Sequence, residues 1–209
     1  MGILETWQAI ERVRAVAIVR LPAIAPDAAV AIVETLVKAG LGVVEFTLNT
    51  DDALPAIERV AGQVDGCVVG AGTVVTLDQA QRAMDAGAQL LVAPGTEEEV
   101  IAAAVANDVL PLPGAFTATE VVRATSAGAP AVKLFPAGPV GPGYLAAIRA
   151  PLPEVPLVPT GGIGLDEIGP FLEAGAAALG LGSCLVRSAD AGDGLASRAA
   201  DVRARIDAA

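Results

Sequence analysis

A chain of 209 residues, 54% of them hydrophobic and with a mean hydropathy of +0.60, has the apolar content for a substantial core, which excludes disorder as its main state. Its formal charge of −11 argues against the clustered cations that a nucleic-acid backbone or an anionic membrane surface requires, so neither is expected as a partner. It has no histidine and two cysteines, Cys67 and Cys184, which excludes histidine triads, histidine-ligated metals, four-thiolate zinc and a disulfide scaffold.

In chain order, a helical pattern near Leu4 to Val13 precedes a strand at Ala15–Arg20. Further strands are expected at Gly42–Thr47, Cys67–Ala71, Leu90–Ala93, Val109–Leu112, Ala131–Phe135, Leu157–Thr160 and Ala177–Leu181. Each strand is followed by an Ala-rich helical pattern, starting near Pro26, Asp51, Leu77, Glu97, Thr117, Gly143, Asp166 and Gly194 in turn. The strands are short and almost continuously apolar, as strands covered on both faces must be. Ala39-Gly40, Ala86-Gly87 and Ala174-Gly175 supply helix stops. Pro26-Asp27 and Glu97 to Glu99 put proline or acid in a first turn, where the helix dipole favours them. Eight such units without a low-complexity linker read as α/β: one (β/α)8 TIM barrel domain over residues 1–209, with an extra N-terminal helix. An open doubly wound sheet is the other architecture of this rhythm. Trp7 and the first helix are expected to close the bottom of the barrel, and both cysteines to be core thiols. Met1 to Trp7 shows no secretory pattern, and the longest uncharged stretch, Leu134 to Ile148, is broken by Pro and Gly; a cytoplasmic protein is the expectation.

In a barrel of this kind, chemistry gathers at the C-terminal ends of the strands. The polar residues expected there are Arg20, Glu45, Thr47, Asn49, Thr73, Lys133, Thr160 and Ser183. Lys133 stands out. Of the two lysines, Lys38 closes a helix beside Ala39-Gly40, whereas Lys133 interrupts an apolar strand, Ala-Val-Lys-Leu-Phe-Pro. Desolvation drives a lysine toward the free amine, the form that attacks a carbonyl to make a Schiff base. Glu45, in Gly-Val-Val-Glu-Phe-Thr, is a second charge inside an apolar strand and is suited to move protons opposite that amine. The plainer alternative is a structural Lys133–Glu45 ion pair. Two glycine-rich stretches, Pro159-Thr160-Gly161-Gly162-Ile163-Gly164 and Gly180-Leu181-Gly182-Ser183, follow strands seven and eight, where backbone amides of this fold take phosphate without net positive charge. Gly70-Ala71-Gly72-Thr73-Val74-Val75 starts like a dinucleotide fingerprint, but Val75 stands where Gly or Ala is required.

The segments Glu45-Phe46-Thr47-Leu48, Gly70-Ala71-Gly72-Thr73-Val74, Lys133-Leu134-Phe135-Pro136-Ala137, Pro159-Thr160-Gly161-Gly162-Ile163 and Gly182-Ser183, in order between about Ile10 and Val186, resemble the 2-keto-3-deoxy-6-phosphogluconate (KDPG) aldolases. That group includes the 6-phosphogalactonate and 4-hydroxy-2-oxoglutarate aldolases. The resemblance implies a class I aldolase without metal or other cofactor, a homotrimer acting on a small anionic keto-acid phosphate. It assigns the Schiff base to Lys133, proton transfer to Glu45, the pyruvoyl carboxylate to Thr73, and the phosphate to Gly161, Gly162 and Ser183; Gly182 would belong to the substrate site, and Pro94 and Phe135 would line the pocket. Asn49 departs from the arginine common in the phosphogluconate branch and resembles the phosphogalactonate branch, with Arg20 replacing the lost cation. Thr160 resembles the phosphogluconate branch, where its hydroxyl would meet the substrate's C4 oxygen. Cleavage of KDPG to pyruvate and glyceraldehyde 3-phosphate is the main expectation. The phosphogalactonate and hydroxyoxoglutarate activities, a non-covalent isomerase or synthase and a non-catalytic binding module are its rivals.

Overall fold

A computed structural model describes residues 1–187 and 194–209. The chain opens with α1 (Ile3–Val13), β1 (Ala15–Val19), α2 (Pro26–Lys38), β2 (Val43–Thr47), α3 (Ala53–Gln63), β3 (Val68–Gly72), α4 (Leu77–Asp85), β4 (Leu90–Val92) and α5 (Glu98–Ala106). It continues with β5 (Leu110–Leu112), β6 (Gly114–Ala115), α6 (Ala118–Ser126), β7 (Val132–Leu134), α7 (Gly141–Arg149), β8 (Leu157–Pro159), a 3₁₀ turn (Leu165–Glu167) leading into α8 (Ile168–Glu173), β9 (Leu179–Leu181) and α9 (Gly194–Asp207). All pairings are parallel. A six-stranded sheet runs β5-β4-β3-β2-β1-β9, and a three-stranded sheet runs β6-β7-β8.

The expected ring of eight continuous strands is therefore corrected: the described residues form nine strands in two curled sheets. The strand expected at Val109–Leu112 pairs with β4 and stops, because Pro113 has no N–H to offer a ladder. Beyond it the chain pairs instead with β7, Gly114 opposite Lys133. At the other seam, β8 and β9 meet through a single bridge, Thr160 to Gly180, and the Ala177 N–H donating to the Leu157 carbonyl at 2.9 Å. The α/β rhythm and the N-terminal helix are as expected.

Both faces of the strands are buried, which explains their lack of polar alternation. One face packs on the helices through residues such as Val44, Phe46, Leu91, Leu134 and Leu181. The other face forms a separate apolar plug of Val16, Val43, Val68, Leu90, Leu110, Ala131, Val158 and Ala178, with Trp7 and Ile10 of α1 packed against its lower end. Trp7 and Ile10 are i, i+3 on α1 and so share the face that covers the plug. Asp108 anchors the start of that helix, its Oδ1 accepting from the Ile3 N–H at 3.0 Å. The two cysteines are free and only half-buried, at the edge of the core and not within it. No helix is long and apolar enough to cross a membrane among the described residues.

The plug positions the site. Because side chains on a strand repeat every second residue, each plug residue predicts what stands on the same face one step toward the C-terminal end. That step reaches Ile18, Glu45, Gly70, Val92, Leu112, Lys133, Thr160 and Gly180. The two charged residues of this layer rest directly above hydrocarbon.

Candidate active site

Lys133 lies in the middle of β7, between Gly114 of β6 and Val158 of β8, and is only 4% exposed. Burial pushes its amine below the ordinary lysine value; the Glu45 charge opposes that shift and the Arg20 charge adds to it. Its Nζ sits 4.8 Å from the centroid of the Phe135 ring, the next side chain on the same face. Glu45 lies in the middle of β2 and is 1% exposed. Burial pushes its carboxyl above the ordinary range, against the pull of Lys133 and Arg20. For both groups desolvation outweighs the attraction between them, so each is driven toward its neutral form.

The Glu45 carboxylate is not a satisfied structural group. Its Oε2 is fully buried without a hydrogen-bond partner among the described residues, a costly state that native proteins keep at reactive positions. Gly72 explains how the carboxylate fits. A Cβ there would stand 2.7 Å from Glu45 Oε1 and 3.1 Å from Thr47 Cγ2. Gly72→Ala is accordingly expected to push the carboxylate off its present position and to lower turnover about 10²-fold, the cost of a misplacement near 1 Å. Unchanged far-ultraviolet circular dichroism would accompany that loss, and turnover within twofold of wild type would remove Gly72 from the geometry of the site.

A cavity of about 200 Å³ opens above this layer. Arg20, Lys133, Phe135, Thr160, Gly161, Gly162, Gly182 and Ser183 line it, so eight of the residues singled out from sequence converge on one space. Gly161 is required twice over: its φ is +89°, and a Cβ there would stand 2.7 Å from the Phe135 ring. The main chain thus comes close to the ring that faces Lys133. The buried Thr160 hydroxyl donates to the carbonyl of Val158 at 3.1 Å, leaving its lone pairs as what it can offer a ligand.

Other expected residues lie elsewhere. Glu45 is buried and not part of the cavity lining. Thr47 is fully buried, with its hydroxyl engaged by Val19 and Thr50. Asn49 and Pro94 are exposed and outside the cavity lining. Thr73 is half-buried and also outside it, but holds φ +62°, a left-handed conformation that is unusual for a β-branched residue. Ile18 and Val186 also line the cavity and are not expected from sequence, whereas Ile163 and Gly180 belong to the two glycine-rich stretches. Ile18 is accessible through alternation, standing two residues before Arg20; Val186 carries no local signal. Among the described residues, no three of His, Cys, Asp and Glu gather into a set that could hold a metal ion.

A curled parallel α/β scaffold with a desolvated lysine and an unpartnered carboxylate in the middle of two of its strands has the features of an enzyme site. Comparison with known proteins gives the family. The model for KDPG and KHG aldolases matches residues 8–196. A probable 2-dehydro-3-deoxy-6-phosphogalactonate aldolase of Rhizobium meliloti (strain 1021) is 35% identical over 88% of this chain and 87% of its own. The 2-dehydro-3-deoxy-6-phosphogalactonate aldolase of Escherichia coli (strain K12) is 38% identical over 86% of this chain and 89% of its own. A solved native KDPGal structure superposes with a TM-score of 0.83 at 34% identity, covering 93% of this chain and 92% of that one. The chain belongs to the KDPG and KHG aldolase family. Its activity is that of a class I aldolase, a lyase that works through a Schiff base.

Proposed function

We propose that the protein cleaves 2-keto-3-deoxy-6-phosphogalactonate to pyruvate and glyceraldehyde 3-phosphate, with Lys133 as the Schiff-base residue and Glu45 as the proton carrier. The observation that carries the residue roles is the Lys133 amine, desolvated in its strand yet open to the cavity, in the same side-chain layer as Glu45, whose buried carboxylate keeps an unpartnered oxygen. The neutral amine attacks the C2 ketone. Glu45 relays protons as the carbinolamine loses water and the protonated imine forms. Glu45 then takes the proton of the C4 hydroxyl, the C3–C4 bond breaks, and its electrons pass into the iminium to leave an enamine. The aldehyde departs; protonation at C3 and hydrolysis release pyruvate and restore the amine. Backbone at Gly161, Gly162, Gly182 and Ser183 takes the phosphate, Arg20 meets an anionic group of the substrate at the cavity mouth, and Thr73 serves the carboxylate. In this reading residues 1–209 act as one barrel whose two seams close around the site, assembled as a homotrimer.

The choice of C4 epimer departs from the phosphogluconate expectation. Two relatives spanning most of the chain are named as a phosphogalactonate aldolase and a probable one, and Asn49 and Arg20 agree with that branch. The contrary clue, Thr160, is weakened because its hydroxyl proton is engaged by Val158. Measuring kcat/KM on both C4 epimers and on 4-hydroxy-2-oxoglutarate tests the reading. A preference of about tenfold or more for the galactonate epimer is expected, a difference of ~1.4 kcal/mol. Equal rates or a gluconate preference would return the assignment to KDPG.

A further inference from the structure

Arg20 is the cationic side chain of the cavity wall besides Lys133, yet it is exposed, and among the described residues its guanidinium has no hydrogen bond or ion pair to hold it. Its position must come from its backbone. That backbone is gripped on both sides by two buried hydroxyls. The N–H of Leu21 donates to Thr50 Oγ1 at 3.2 Å. Thr50 Oγ1 lies 3.2 Å from Thr47 Oγ1, and Thr47 Oγ1 donates to the carbonyl of Val19 at 3.4 Å. An amide can only donate and a carbonyl can only accept, so the order of the relay is determined: Leu21 N–H to Thr50, Thr50 O–H to Thr47, Thr47 O–H to Val19. The relay begins one residue after Arg20 and ends one residue before it. Thr47 and Thr50 are 0% and 3% exposed, so water does not compete for these bonds. Further along, the Asp51 N–H donates to the Pro22 carbonyl at 3.1 Å and the Ile24 N–H to the Asp51 carbonyl at 3.1 Å, which stitches the segment after Arg20 to the turn after β2.

We propose that the Thr47–Thr50 hydroxyl relay is a positioning device for Arg20, and that Thr50 is a positioning residue of this aldolase although it lies outside the cavity. The proposal rests on the aldolase reading and on Arg20 meeting an anionic group of the substrate. It also accounts for Thr47, whose place on the Glu45 face suggested a substrate contact: its hydroxyl serves the backbone beside Arg20.

Steady-state kinetics with the phosphorylated keto acid on the full chain test it, comparing wild type, Thr50→Val, Thr50→Ser, Arg20→Ala and the double variant Thr50→Val/Arg20→Ala. Thr50→Val is expected to raise KM about fivefold, the worth of one net hydrogen bond, with kcat within about twofold. Thr50→Ser, which keeps the hydroxyl, should stay within about twofold of wild type. In the Arg20→Ala background the valine should add nothing, because the residue it positions is gone. An unchanged KM, a loss confined to kcat, or the same loss persisting without Arg20 would each overturn the proposal. If Thr50→Val does not fold, Thr47→Val breaks the next link and carries the same expectation; failure of both to fold makes the relay purely structural and also overturns it. Borohydride labelling of Lys133 with pyruvate separates the two levels. Labelling with no coupling between Thr50 and Arg20 sinks the relay alone, whereas no labelling of wild type sinks the aldolase reading and the relay with it.

Discussion

Lys133→Ala is expected to abolish the permanent adduct that forms when the protein is incubated with pyruvate and borohydride, and to lower turnover by at least about 10⁴-fold, the scale of losing a covalent nucleophile. Lys38→Ala is expected to label and turn over as wild type does, since Lys38 is exposed in the last turn of α2. The physical reason is solvation. Lys38 stands in water. Lys133 has lost that water, and with it much of the free energy that keeps an amine protonated. The pH dependence follows the same sign. Because burial lowers the Lys133 value, the nucleophilic form appears at lower pH than for an ordinary lysine, and the initial rate of labelling should rise with pH and level off at a lower pH than a solvated lysine would require. Mass spectrometry of the reduced adduct checks both statements. Label found on Lys38, or label retained in Lys133→Ala, would end the assignment, as would a labelling rate that climbs only at the pH of a solvated amine.

Glu45→Gln is expected to separate adduct formation from cleavage. The amide is nearly isosteric and can hydrogen-bond, but it cannot carry a proton between the C4 hydroxyl and the intermediate. Turnover should fall about 10²- to 10⁴-fold, the range for losing a positioned general base, while Lys133 remains trappable with pyruvate, more slowly because carbinolamine dehydration also needs a proton carrier. Single-turnover assays read cleavage and borohydride trapping reads imine formation, so the two steps are seen independently. Cleavage at the wild-type rate would take Glu45 out of the mechanism. A loss of trapping equal to the loss of cleavage would confine its role to imine formation.

The contrast between these residues and the others shows where sequence is informative. A charge inside an apolar strand is a local anomaly that can be read without coordinates, and both Lys133 and Glu45 have that form. Glycines that let backbone approach a ligand are nearly as visible, and Gly161, Gly162 and Gly182 do line the cavity. Asn49 and Pro94 follow strands too, but a position just past a strand can turn inward or outward, and no local pattern decides which; both are exposed. Thr50 shows the opposite failure. A threonine in a turn looks ordinary until the backbone of Leu21, distant in sequence, is found at its hydroxyl.

By itself, the amino-acid sequence determined the alternation of strand and helix, the covering of both sheet faces, the N-terminal helix and the two buried charges, because each follows from hydrophobic periodicity or from the cost of desolvating a charge within a few consecutive residues. Only the tertiary structure decided that the strand near Pro113 divides between two sheets, that Glu45 keeps an unpartnered oxygen against Gly72, and that Thr47 and Thr50 serve Arg20. Those outcomes depend on which backbone groups meet across long stretches of chain, and a donor without a neighbour in sequence finds its acceptor only once the sheets have curled.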